Sequence, residues 1–170
     1  DALKLIPLYQ LLKRTGINTL LCATHQHQKL LDEVLDLFQV KPDITLDIMR
    51  ENQTLDYLTA AVLQKTSDYF SAVRPRLVIV QGDTTTSFAA ALAAFYLKIP
   101  VAHVEAGLRT GNMYSPFPEE INRIFIGKIS SLHFAPTPIN VCNLLNEGMR
   151  ADKIFCVGNT VVDALQQILS

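Results

Sequence analysis

Three stretches of this sequence combine residue types and spacings that could do chemistry. Gln81-Gly82-Asp83-Thr84-Thr85-Thr86-Ser87 follows an apolar run and sets an aspartate beside glycine and consecutive hydroxyls. Either Asp83 or a threonine caps a helix that starts here, or the glycine admits a ligand to the backbone and the carboxylate acts on it. The hydroxyls at 84–87 exceed what a cap requires. His103-Val104-Glu105-Ala106-Gly107-Leu108-Arg109-Thr110-Gly111 ends a second apolar run in a carboxylate and a glycine-containing loop. Glu105 reads as a reacting acid or as the partner of Arg109 in an ion pair, and His103 as a site residue or a core histidine with one hydrogen bond. In Ser115-Pro116-Phe117-Pro118-Glu119-Glu120-Ile121-Asn122-Arg123, prolines bracket the entry to a helix with two acids in its first turn. The helix dipole alone favours an acid there, but the prolines fix where the acids point, and one of them is expected to face a cleft. Carboxylates converging from separate loops can divide proton-donor and proton-acceptor roles, because charge on one raises the proton affinity of its neighbour.

Such residues need an open parallel sheet, where ligands lie beyond the carboxyl ends of the strands. The chain has the pattern for one: short β-branched runs at 17–23, 44–48, 77–80, 101–104, 132–135 and 154–157 alternate with segments of helical period. If the runs at 77–80 and 101–104 are neighbours, Asp83 and Glu105 start from backbones about 5 Å apart. Leu30, Leu31, Val34, Leu35 and Phe38 form one helical stripe, and Leu55, Leu58, Val62, Tyr69 and Val73 another. The alanine-rich segment 87–97 predicts a helix buried close to the sheet. Thr137-Pro138 is a helix start and Gly148 its stop. Residues 1–14 read as helix, with Pro7 tolerated only in the first turn. A doubly wound domain begins with a strand before such a helix, so the chain is expected to lack the start of its domain.

Composition excludes several classes of function. A chain of 170 residues with 49% hydrophobic content is long enough for one domain with a substantial core. The net charge of -1 and the scattered basic residues give no track for nucleic acid. The odd number of cysteines, Cys22, Cys142 and Cys156, argues against a complete disulfide set and for a cytoplasmic location. No apolar run reaches membrane-spanning length. His25 and His27 lack further ligands nearby, so no metal is expected, and neither a P-loop nor a G-x-G-x-x-G fingerprint is present.

Together, GDTTTS at 82–87, HVEAGLRTG at 103–111, SPFPEEINR at 115–123 and GNTVVDAL at 158–165 closely resemble the non-hydrolysing UDP-N-acetylglucosamine 2-epimerases. The resemblance covers nearly the whole chain and maps to the family's amino-terminal half. It implies a three-layer Rossmann-like α/β parallel sheet spanning residues 1–170, one half of a glycosyltransferase B-type fold, with the first strand and the second nucleotide-binding domain missing. It implies interconversion of UDP-N-acetylglucosamine and UDP-N-acetylmannosamine for bacterial polysaccharide synthesis, through UDP elimination to 2-acetamidoglucal and re-addition. The resemblance carries over Asp83, Glu105 and Glu119 as catalytic acids, Lys4, Arg109 and His103 as substrate-binding residues, no cofactor, and a homodimer. Gln26 and His27 match a regulatory patch of members activated by their substrate, but Lys29 stands where a second glutamine belongs and Asn52 where an arginine does. These departures weigh against such activation here. A hydrolysing epimerase and a non-catalytic nucleotide-sugar binding or assembly module are the alternatives, and the chain alone is expected to be inactive.

Overall fold

The structure, a computed structural model, describes residues 2–24, 28–48 and 53–169, with residues 28–30 described by their backbone alone. It divides into two compact units, residues 1–51 with 159–170, and Asn52–Gly158.

The first unit holds α1 (Ala2–Arg14), β1 (Cys22–Ala23), α2 (Gln28–Leu37) and β2 (Ile44–Thr45). Its two strands are parallel, with Cys22 opposite Ile44 and Ala23 opposite Thr45. The long strand read at 17–23 shrinks to two residues because a side chain captures its backbone: the Leu21 N–H donates to the Asp43 carboxylate at 2.7 Å. Pro7 lies inside α1, beyond the first turn, contrary to the sequence expectation. It forgoes one helical hydrogen bond, and in return Ile6 and Pro7 are buried where α1 packs on neighbouring helices of this unit.

The second unit holds α3 (Leu55–Val73), β3 (Val78–Gln81), α4 (Thr85–Tyr96), β4 (Val101–Val104), α5 (Glu119–Ile129), β5 (Leu132–Ala135), α6 (Pro138–Asn146) and β6 (Ile154–Cys156). Its strands form one parallel sheet in the order β3-β4-β5-β6, as the alternating strand and helix pattern requires. Register is set by Val80 opposite His103 and by His103 opposite His133. The alanine-rich segment behaves as its composition dictates. Ala89, Ala91, Ala93 and Ala94 are fully buried, and with no bulk at those positions α4 packs against α3, α5, β3 and β4. Phe70, Val78, Val80, Val101 and Ile126 complete that core. Thr137 caps α6 from its side chain, and Gly148 follows the helix in the left-handed conformation, φ +82°. The remaining helix, α7 (Val161–Leu169), returns to the first unit, where it packs on α1. Among the described residues no helix is long and apolar enough to cross a membrane.

Candidate active site

The β3 and β4 ends stand side by side, and their ladder continues past the strands through the Gly82 N–H, which donates to the Val104 carbonyl at 3.0 Å. Glu105 leaves β4 with φ +64°, a left-handed conformation that costs a residue with a side chain about 1 kcal/mol. The ladder imposes it. Val104 is held on one side by Gly82, and the Ala106 N–H on the other donates to Phe134 at 3.0 Å. In this pose the Glu105 Oε2 accepts a hydrogen bond of 2.5 Å from the Gln81 side-chain amide, and it lies 3.7 Å from the place a Gly82 Cβ would occupy.

Asp83 follows at the mouth of α4. The helix cap is Thr84, whose Oγ1 accepts from the Ser87 N–H. Ser87 Oγ donates instead to the Gln81 carbonyl at 2.7 Å. These bonds account for two of the consecutive hydroxyls as local structure. Asn122 on α5 donates to the Asp83 carbonyl at 3.0 Å, and Arg123 Nη2 lies 3.2 Å from Asp83 Oδ2. The β3 and α5 segments are therefore tied directly.

Of the two acids that open α5, Glu120 turns inward. It is 1% exposed, and its Oε1 accepts from the Thr110 and Gly111 N–H groups at 2.9 and 3.0 Å. Its Oε2 is 3.3 Å from Arg123 Nε. Glu119 is half-buried, and no hydrogen bond or ion pair to its carboxylate is formed among the described residues.

Arg109 does not pair with Glu105. It forms a two-pronged ion pair with Glu147 just past α6, Nε to Oε1 at 2.6 Å and Nη2 to Oε2 at 2.9 Å. That hydrogen bonding draws the Glu147 carboxyl below its ordinary range, against the opposing effect of burial. A cavity of about 320 Å³ lies there, lined by Arg109, Gly111, Met113, Glu120, Asn143 and Glu147 among others, and none of the three candidate acids lines it. His103 is 1% exposed and lies behind the rim, its Nε2–H donating to the Gly82 carbonyl at 2.7 Å. Burial first, and then the positive charges of His133 and Arg109, pull its pKa down to about 4 despite the Gly82 bond. This is the core-histidine reading of the sequence. Lys4 lies half-buried on α1 in the first unit. Gln26 and His27 lie outside the described residues.

The structure thus brings Asp83, Glu105 and Glu119 to segments joined by direct bonds, gives Glu120, the other acid at the α5 entry, an inward anchoring role, and adds Gln81 and Arg123, to which the sequence reading assigned no role. Glu120 and Arg123 were legible as an i, i+3 pair of opposite charge on one helix.

The family model of UDP-N-acetylglucosamine 2-epimerase matches residues 10–170. The UDP-N-acetylglucosamine 2-epimerase of Bacillus subtilis is 52% identical over 166 residues, 97% of this chain and 44% of that protein. The crystal structure of the Neisseria meningitidis UDP-GlcNAc 2-epimerase bound to UDP-GlcNAc superposes with a TM-score of 0.94 at 48% identity, covering 97% of this chain and 45% of that one. The Methanocaldococcus jannaschii UDP-GlcNAc 2-epimerase superposes at 0.89 with 42% identity, covering 99% of this chain and 45% of that one. The chain therefore spans somewhat under half the length of the relatives it matches, and its α/β architecture is that of a glycosyltransferase B-type half.

Proposed function

Because the chain belongs to the UDP-N-acetylglucosamine 2-epimerase family, we propose that the protein carrying it interconverts UDP-N-acetylglucosamine and UDP-N-acetylmannosamine by the non-hydrolysing route. A carboxylate removes the C2 proton while the bond from the anomeric carbon to UDP breaks, leaving 2-acetamidoglucal. Return of UDP to the anomeric carbon, with a proton delivered to the opposite face of C2, completes the inversion. Carboxylates suit both halves, since they carry protons and steady positive charge at the anomeric carbon.

The observation that carries this reading is the pairing of Asp83 and Glu105 at adjacent strand ends, each fixed by its own donor, with the open Glu119 carboxylate on the helix bonded to Asp83. In this reading Asp83, Glu105 and Glu119 are the catalytic acids, and Lys4 contacts the substrate. Arg109 contributes by fastening the loop after β4 to Glu147. His103 acts through the Gly82 carbonyl rather than by touching the sugar. In this reading the family's second domain supplies the opposing wall of the cleft. The partly exposed Leu55, Val73, Phe95 and Tyr96 on α3 and α4 support a homodimer through this region, which light scattering of the intact protein tests.

Incubation of the intact protein with UDP-N-acetylglucosamine in deuterated water tests the reaction. The expected result is the manno product carrying deuterium at C2. Release of free N-acetylmannosamine would assign the hydrolysing reaction instead, and absence of both products would end the enzymatic reading. Asp83→Asn and Glu105→Gln should each lower turnover by roughly 10² or more while substrate binding survives. Unchanged turnover would favour a binding module.

A further inference from the structure

The reaction proposed above leaves one buried cation unassigned. Arg123, on the second turn of α5, is 4% exposed. Its guanidinium lies between two carboxylates, with Nε 3.3 Å from Glu120 Oε2, a buried oxygen that accepts no hydrogen bond, and Nη2 3.2 Å from Asp83 Oδ2. Nε donates to the Glu119 carbonyl at 3.3 Å. Nη1 is buried with no hydrogen-bond partner.

A side chain that served only to hold α5 in place would not need this arrangement. Burying a guanidinium is expensive, and an apolar residue of similar volume commonly stabilises a core as well or better. Glu120 by itself would be served by its helical neighbour alone, yet the side chain reaches on to the loop after β3, 40 residues earlier in the chain. The guanidinium spreads its charge over a plane wide enough to lie against both carboxylates, which the compact ammonium of lysine is not. Glu120 is in turn anchored by the Thr110 and Gly111 N–H groups, so the loops after β3 and β4 are braced through one buried ion network.

From this geometry we propose that Arg123 is a positioning residue of the epimerase reaction, aiming the Asp83 carboxylate at the substrate, with Glu120 as its anchor. The proposal rests on Asp83 being a catalytic acid. It acts through alignment, and misplacing a reacting group by about 1 Å can cost roughly 10²-fold in rate.

The test is a double-mutant cycle in the intact protein. Arg123→Met alone would strand the buried Glu120 charge, so the cycle is built on Glu120→Gln, which keeps the acceptor for the Thr110 and Gly111 N–H groups. On that background, adding Arg123→Met should lower kcat by about 10²-fold, as for a misplaced acid, with KM changed by less than about threefold. Added to Glu120→Gln/Asp83→Asn, it should lower kcat no further, because the group it aims is gone. Arg123→Lys keeps the charge without the wide plane and should still lose about tenfold; it carries the test if the methionine variant fails to fold. Wild-type kcat in either Arg123 variant overturns the proposal. So does an equal loss with and without Asp83→Asn, which would mark a structural role only. If Asp83→Asn alone leaves turnover intact, the reading of the site fails first and takes this inference with it. If Asp83→Asn abolishes turnover while the Arg123 variants retain it, this inference alone fails.

Discussion

Lowering the pH from 7 to 5 should destabilise this protein, in part through one buried histidine. His103 is neutral in the fold: Nε2 carries the proton donated to the Gly82 carbonyl, and Nδ1 is buried without a partner. Its folded pKa is about 4 against an ordinary 6.5. Between those values the unfolded chain binds a proton that the fold refuses, so stability is full above about pH 6.5 and declines as pH falls toward 4. The 2.5-unit gap corresponds to about 3 kcal/mol in all, of which about 2 kcal/mol falls between pH 7 and pH 5. His133 lies opposite His103 on β5, and burial and Arg109 lower its pKa too, so it adds to the same slope. Glu147, whose pKa is lowered, contributes stability that is lost only below the ordinary carboxylate range, outside this window. Urea unfolding followed by circular dichroism at several pH values gives the slope. His103→Gln keeps an amide donor for Gly82 and removes the titration, so its stability curve should be flatter than wild type by about 2 kcal/mol between pH 7 and 5. Parallel curves would refute the reasoning, whatever the absolute stability of the variant.

Two further outcomes follow from packing and exposure. At Gly107, with φ +89°, a Cβ would sit 2.9 Å from the Asn140 carbonyl carbon, closer still to its oxygen, and 3.0 Å from Leu144 Cγ. Gly107→Ala should therefore cost at least about 3 kcal/mol in urea unfolding, from overpacking and backbone strain together. Gly111→Ala, with φ +77° and nothing within 4 Å, should cost only about 1 kcal/mol; equal losses would show that α6 does not press on the loop. Alkylation at mildly alkaline pH, mapped by peptide mass spectrometry, should label the exposed Cys142 and Cys156 and spare Cys22, whose thiol burial pushes up to about 11.

Most of the local structure was legible because it depends on neighbours in the chain. The strand runs at 101–104 and 132–135 were read to the residue, and the Thr137 start of α6 and the alanine face of α4 follow from capping and side-chain volume. Strand pairing in sequence order placed Asp83 beside Glu105 as spacing suggested. The misreadings share a cause. At 17–23 a side chain 22 residues away, Asp43, took the backbone donor that strand propensity assigned to a ladder, and in α1 burial outweighed the local cost of Pro7.

The division is sharpest among the charged residues. Sequence alone determined which acids occur at which strand ends and helix entries, since loop and cap chemistry is written in adjacent residues. Only the tertiary structure decided how they are paired: Arg109 with Glu147 rather than Glu105, Arg123 with Asp83 across 40 residues, Glu120 inward and Glu119 open. Charge attracts any opposite charge within reach, and what comes within reach is set by strand order and helix packing, to which spacing along the chain is blind.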